Sequence, residues 1–334
     1  MLMSQRKVRI GIDVGGTFTD ATVIDNDTLA LIAKRKTPTT HSSDEGVAKG
    51  IITLIQELIE ETGIEPQNIV FISHGTTQAT NALLEGDVAK VGIIGMGEGS
   101  SAKNETNVEK LELAPEKFLQ VYHEFIPSDN VSDTLITQAM DRLIEKGAEV
   151  IVASEAFSIE HPEHEELVIK IAQDKGYYAT GGYQISQLFG LRLRTRTAVV
   201  NGSLIPKMME TADMTEKVIK DLGIKRDLMI MRADGGVMSV DEVRKRPILT
   251  MLSGLAAGVA GAIMYEKISD GIFLEIGGTS TDISVIKDGQ VMIKNASVGG
   301  HKTDLKSVDV RTTGIAGGTM IRFNDEGIKV GPRS

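Results

Sequence analysis

The chain has 334 residues, no cysteine, and 46 acidic against 36 basic side chains, a formal net charge of −10. That balance argues against broad nucleic-acid binding, because no wide surface would displace phosphate counterions. The absence of thiols excludes thiolate nucleophiles, thiolate metal sites and disulfides. With 41% hydrophobic residues the length suits two lobes. The opening MLMSQRKVRI has no apolar stretch of signal-peptide length, so a cytoplasmic location is expected.

Residues 8–14 read as an apolar strand that ends at Gly15-Gly16, and 17–24 and 29–36 as two more, forming a meander. Ser42 and Glu45 stand at capping-box spacing before Val47, Ile51, Leu54, Ile55 and Leu58, which repeat at helical intervals until Gly63. Strands at 69–73, 91–94 and 149–153 alternate with helical stretches such as 134–146, which predicts an α/β sheet. Residues 97–130 are polar and weakly periodic and read as a surface excursion with one short helix. After Gly181-Gly182 come a helix over about 194–222, a strand at 228–232, and an apolar helix after Ser253-Gly254. These predict a first lobe over 1–185 and a second over 186–334. The uncharged run 248–265 has nearly the length of a membrane span, but Ser253-Gly254 interrupts it and a buried strand-turn-helix is expected, with no membrane partner.

The most informative feature is an internal repeat: GIDVGGTFTDATVI at 11–24 is echoed by FLEIGGTSTDISVI at 273–286. Each copy places a carboxylate at a strand end, then two glycines, then hydroxyl residues that open the return strand. Glycines let the backbone turn tightly and bring N–H donors close to phosphate oxygens, and threonine hydroxyls add donors without charge. The carboxylates would repel phosphate directly, so they would act through a divalent cation or orient an attacking water. An ordinary hairpin turn explains one copy; two copies with matching acids point to a clamp. No Walker-type lysine loop and no GxGxxG spacing accompany them, which disfavours a dinucleotide site.

GIDVGGTFTD with the later IGGTSTD resembles the two phosphate loops of the actin, sugar-kinase and heat-shock-chaperone superfamily. HGTTQATNALLEG at 74–86, RTRTAVVNGSLIP at 194–206, RADGGVMS at 232–239, LSGLAAGVAGA at 252–262 and VDVRTTGIAGGTMI at 308–321 narrow the resemblance to the hydantoinase/oxoprolinase subunits. This resemblance covers nearly the whole chain. It implies two ribonuclease H-like lobes of the actin-like ATPase fold, ATP and Mg²⁺ as cofactors, and phosphorylation of a cyclic amide (hydantoin, 5-oxoproline or lactam) or related carbonyl. Asp13, Gly15, Gly16, Thr17, Thr19 and Asp20 match the first phosphate loop, and Gly277, Gly278, Thr279, Ser280, Thr281 and Asp282 the second. Asp13, Asp282 and Glu275 are the implied metal-site acids, with Glu275 standing where the family usually has Asp, and Leu255 replaces a family proline.

His74 follows the predicted strand at 69–73, at the sheet end where ligands collect, and is the candidate third catalytic residue beside Asp13 and Asp282; a structural histidine is the alternative. Thr76 and Thr77 would donate to phosphate or cap the next helix. His161 and His164 read as a solvated helix start, and Arg192, Arg194 and Arg196 as structural ion pairs or phosphate counter-charges. The methionines, among them Met208-Met209, read as core filler. The glycine-rich adenosine loop of the resembled family is not found, and Gly314 to Gly318 reads as the start of a helix. The second lobe is therefore expected to be incomplete, and the chain alone inactive without a further C-terminal segment or a hydantoinase B-like subunit. A nucleotide-responsive assembly module without turnover is the alternative, and a small-molecule kinase a weaker one.

Overall fold

Alternation along the first strand, β1 (Val8–Val14), puts Val8, Ile10, Ile12 and Val14 on one face, each at most 4% exposed. The chain returns antiparallel as β2 (Phe18–Asp25) and β3 (Leu31–Pro38), crosses over as helix α1 (Ala48–Thr62), and adds β4 (Ile69–Thr76) parallel to β1. Ile51, Leu54, Ile55 and Leu58 are the buried face of α1, as their spacing predicts. The computed structural model describes residues 6–40, 48–278, 280–324 and 327–332, so the capping box of Ser42 and Glu45 lies outside the described residues. A short helix, α2 (Gln78–Glu85), follows β4 and ends at Gly86 in the left-handed conformation.

The next strands build a separate sheet rather than extending the first. In chain order they are β5 (Val91–Gly97), α3 (Gly99–Thr106), β6 (Lys110–Ala114), β7 (Lys117–Pro127), α4 (Asp133–Glu145), β8 (Val150–Glu155), α5 (Glu163–Asp174) and β9 (Tyr178–Gly181). Strand order is β6-β7-β5-β8-β9, with β7, β5, β8 and β9 parallel. Every residue of β5 and β8 is buried, the pattern of strands covered on both faces. The predicted surface excursion at 97–130 is thus corrected, because β7 runs beside β5 from Val91↔Val121 to Gly97↔Pro127. Its sequence, KFLQVYHEFIP, fully buries only Leu119 and Ile126, which left little periodic signal. Ser132 caps α4, its hydroxyl accepting from the Leu135 N–H.

After the short helix α6 (Gly182–Ile185), the long helix α7 (Leu191–Asp221) packs against α1 and α2 on one side and β5, β8 and β9 on the other. Then come β10 (Leu228–Met231), β11 (Val237–Ser239), α8 (Val240–Lys245) and α9 (Ser253–Glu266). Strand β10 lies parallel to β4 and completes a sheet of order β11-β10-β4-β1-β2-β3. The strand expected in a second lobe therefore belongs to the sheet that opens the chain, a long-range pairing with no local sequence signature. Among the described residues no helix is long and apolar enough to cross a membrane.

The remaining segment is β-structure: β12 (Gly271–Ile276), β13 (Thr281–Lys287), β14 (Gln290–Val291), β15 (Ile293–Val298), β16 (His301–Val308), β17 (Val310–Thr313), β18 (Thr319–Asn324) and β19 (Gly327–Pro332). Strand β13 pairs with β12, β14 and β17, while β15/β16 and β18/β19 are separate hairpins. The Gly314 to Gly318 turn does not open a helix; it leads into β18, because its backbone bonds are spent on the Gly277-Gly278 turn, with Gly317 N–H on Gly277 O (3.1 Å) and Gly318 N–H on Gly278 O (2.9 Å).

Helix α7 passes β8 at Gly202, where an added Cβ would lie 2.9 Å from Val152 Cγ2 and 3.4 Å from Val150 Cγ1. The Gly202→Val protein is expected to lose about 2 kcal/mol of stability by overpacking, read as a lower urea midpoint. An unchanged midpoint would show that α7 can lift from the sheet without cost.

Candidate functional site

The two repeats fold alike. In the first, Asp13 faces Asp20 and Val14 faces Thr19 across β1 and β2; in the second, Glu275 faces Asp282 and Ile276 faces Thr281 across β12 and β13. Gly15 N–H donates to Phe18 O at 2.9 Å, and Gly277 N–H donates to Ser280 O at the same distance. A Cβ at Gly15 would sit 3.0 Å from Phe18 O, and one at Gly277 3.3 Å from Ser280 O, so each turn favours glycine at its first position. The partner strand differs: Asp20 is paired by Lys36 at 3.2 Å, whereas Asp282 accepts from the Thr312 hydroxyl.

Helix α9 joins the two turns. The Thr76 N–H donates to Ser253 Oγ at 3.2 Å and that hydroxyl donates to Thr76 O at 3.0 Å, which fixes the helix start to the end of β4. This brings Gly254 against Asp13: a Cβ at Gly254 or at Gly75 would lie 3.0 Å from Asp13 Oδ1. One turn later a Cβ at Gly258 would meet Phe273 Cζ at 2.9 Å and Glu275 Oε2 at 3.5 Å. Residues four apart share a helix face, so the acids of both repeats converge on one glycine-lined side of α9.

Their electrostatics follow from that crowding. Burial pushes the Asp13 carboxyl up from the ordinary aspartate range, the charge of Asp20 adds to this, and Lys36 opposes it. Asp13 Oδ1 is buried without a hydrogen-bond partner among the described residues. Glu275 is exposed as a residue, yet lost hydration raises its carboxyl first, followed by the charges of Asp13 and Asp282. Such a set favours a bound cation or donor. Among the described residues no three His, Asp or Glu side chains form a ready-made metal cage. That donor set fits Mg²⁺, which takes one or two carboxylates and completes its shell with water and ligand phosphate.

The other predicted residues separate. Thr17 and Gly16 are exposed at the first turn, and Gly277, Gly278 and Ser280 form the second; Thr279 lies outside the described residues. Thr19 is fully buried with its hydroxyl 3.2 Å from that of Thr39, and Thr281 donates to Ile315 O at 2.6 Å, so both threonines brace their loops. His74 pairs laterally with Ile12 and Ile230 and therefore sits on the sheet face opposite Asp13. Its ring is buried, which pushes its pKa down to about 4 and keeps it neutral. Thr77 donates to Val14 O at 3.2 Å, tying α2 to β1, and Thr76 Oγ1 accepts from the Gln78 N–H at 3.1 Å. His164 reaches Glu155 at 3.0 Å rather than His161.

Sequence reasoning missed Gly75, Gly254, Gly258 and Lys36 as site residues. The i, i+4 glycines in LSGLAAGVAGA were a readable signal; the cross-strand lysine followed only from the β2/β3 register.

Known proteins resemble the chain along its length. It is 26% identical over 365 residues to caprolactamase subunit alpha of Pseudomonas jessenii, covering 99% of this chain and 51% of that one. It is 25% identical over 376 residues to 5-oxoprolinase 1 of Arabidopsis thaliana, covering 98% and 29%. The nucleotide-free structure of acetone carboxylase matches with a TM-score of 0.75 at 23% identity, and the ATP-dependent caprolactamase of Pseudomonas jessenii with 0.71 at 24%; each covers 98% of this chain and 51% of the other. The mixed α/β fold of those enzymes, consistent with an actin-like ATPase architecture, is thus the fold of this chain, which spans about half their length. The family model for the hydantoinase/oxoprolinase N-terminal region matches residues 9–176 and that for hydantoinase/oxoprolinase matches 194–334, so the chain belongs to the hydantoinase/oxoprolinase family.

Proposed function

We propose that the chain is the nucleotide-phosphate-binding part of an ATP-dependent enzyme that activates a cyclic amide or related carbonyl. The observation that carries this is the convergence of Asp13 and Glu275, from two hairpins of identical register, on the glycine face of α9. ATP with Mg²⁺ would supply an activating phosphoryl group. Asp13, Glu275 and Asp282 would hold the cation, directly or through water, and Lys36 would offset the charge at Asp20. The hydroxyls of Thr17 and Ser280 and the glycine turns would orient the phosphates. Positioning is the main demand of phosphoryl transfer, and a paired clamp meets it without covalent chemistry. A cyclic amide substrate is favoured because the family includes caprolactamase and 5-oxoprolinases.

A further polypeptide belongs in this reading, either a C-terminal segment or a hydantoinase B-like subunit. Ile10, Ile12 and Val14 are at most 4% exposed, but their repeat counterparts Ile272, Leu274 and Ile276 are 71%, 54% and 67% exposed. Among the described residues the layer that covers β1 has no counterpart over Ile272, Leu274 and Ile276 of β12, and β12 pairs only with β13. An apolar face beside an open edge fits a protein partner that adds both a layer and a strand. We assign that occupant as polypeptide equivalent to the part of the family relatives this chain does not span.

Asp13→Asn should separate binding from stability. A raised carboxyl binds its proton more tightly in the folded chain, so ionisation costs nothing below the ordinary aspartate range, and the cost is complete above the raised pKa of Asp13. At neutral pH the Asn variant is expected to be about 1 kcal/mol more stable than the parent, with the difference fading below about pH 4. Its Mg-ATP affinity should fall at least about tenfold. A variant that is destabilised at neutral pH, or binds Mg-ATP unchanged, would remove Asp13 from the site.

Calorimetry on the 334-residue chain is expected to give Mg-ATP binding near the millimolar range, with little phosphate release on a lactam, hydantoin or 5-oxoproline. Co-expression with the complementing polypeptide should tighten binding and start turnover, and Leu274→Glu should block that gain. Micromolar affinity with substrate-stimulated turnover by the chain alone would refute the partner requirement.

A further inference from the structure

We propose that a cleft of about 560 Å³ between α3, β6, α7 and β16 is a second, separate site that binds a small carboxylate or phosphate group through the guanidinium of Arg196. Three arginines alternate along the first turns of α7; two of them place terminal guanidinium nitrogens on acceptors, although the Nε of Arg194, like that of Arg196, is buried without a hydrogen-bond partner among the described residues. Arg192 pairs with Glu105 at 3.3 Å and donates to Asn104 O at 2.9 Å. Arg194, fully buried, donates to Leu188 O at 2.8 Å and to Glu155 O. Arg196 lines the cleft and its Nε is buried with no acceptor among the described residues. A guanidinium stays charged at any physiological pH, so withdrawing its N–H from water without an acceptor is costly, and an anion entering the cleft would remove that cost.

The rest of the lining suits an anion. Lys110, His301 and the amides of Asn104 and Asn107 share the walls with Arg196. Glu109 is the acid among them, and its Oε1 already accepts from Asn107 Nδ2 at 2.9 Å. The Lys110 Nζ stands 3.8 Å over the centroid of the Phe118 ring. In a chain of net charge −10 this is a locally basic pocket, and a planar guanidinium favours the two-oxygen edge of carboxylate or phosphate. The cleft also lies where the β15/β16 hairpin docks on α7, the Asp304 N–H donating to Thr197 Oγ1 at 3.0 Å. An anion held by Arg196 and His301 would bridge that seam.

The side-chain Nε–Hε NMR signal of Arg196, assigned by its loss in Arg196→Gln, reports on this cleft alone, even where phosphate also reaches the glycine hairpins. Titrating the intact chain with acetate and with inorganic phosphate is expected to move that signal saturably. Tighter acetate marks a carboxylate ligand, and tighter phosphate a phosphate monoester. Arg196→Lys, which keeps the charge but loses the fork, should weaken binding at least about tenfold, and His301→Asn on the opposite wall severalfold. Each variant is followed through a cleft backbone amide shifted by the same anion. An Arg196 signal that moves no more than that of the exposed Arg311, or unchanged affinity in both variants, would overturn the assignment.

Discussion

The bridge between Ser253 and Thr76, residues 177 positions apart, is the contact on which the site depends. One hydroxyl serves as acceptor from the Thr76 N–H and donor to its carbonyl, so the end of β4 and the start of α9 are held as though they were neighbouring turns. The Leu252 N–H adds a bond to Thr80 Oγ1 at 3.1 Å. Leu252 itself takes a left-handed backbone, uncommon for a branched side chain, and the bonds on either side of it hold that geometry. Were the helix to start elsewhere, Gly254 would leave Asp13, and the acid would lose the close wall that keeps water from it.

That closeness explains why glycine recurs where it does. Gly75 and Gly254 leave room for a carboxylate whose Oδ1 has no hydrogen-bond partner among the described residues, an arrangement that costs stability unless a ligand repays it. The two repeats share register and turn bond but not surroundings: the first acid is enclosed and the second is open. The same motif thus serves as a buried fixed point in one hairpin and as an adjustable one in the other, where Glu275 has the longer arm.

Much of this could be read from the sequence because it is local. The acid, glycines and hydroxyls of each hairpin fall within ten residues, and the periodicity of 194–222 became α7 (Leu191–Asp221). The orientation of His74 was also readable, since period two from the buried Ile72 turns it to the apolar face, away from Asp13. Thr19 alternates with Ala21 and Val23 on the buried face of β2 in the same way. What escaped was non-local. Strand β10 joins a sheet begun more than two hundred residues earlier, and β7 owes its place to β5 rather than to its own mixed sequence. The exposure of β12 was equally invisible, because its apolar alternation matches that of β1 while its covering differs.

The spacing of Gly254 and Gly258 makes α9 a ruler. Four residues, about 6 Å of helical rise, separate the point that receives Asp13 from the point that receives Glu275. A rigid rod touching both hairpins at adjacent turns cannot slide along its axis or roll without disturbing both contacts together. The two hairpins are therefore tied to one helix, and a displacement of α9 at either turn would disturb both.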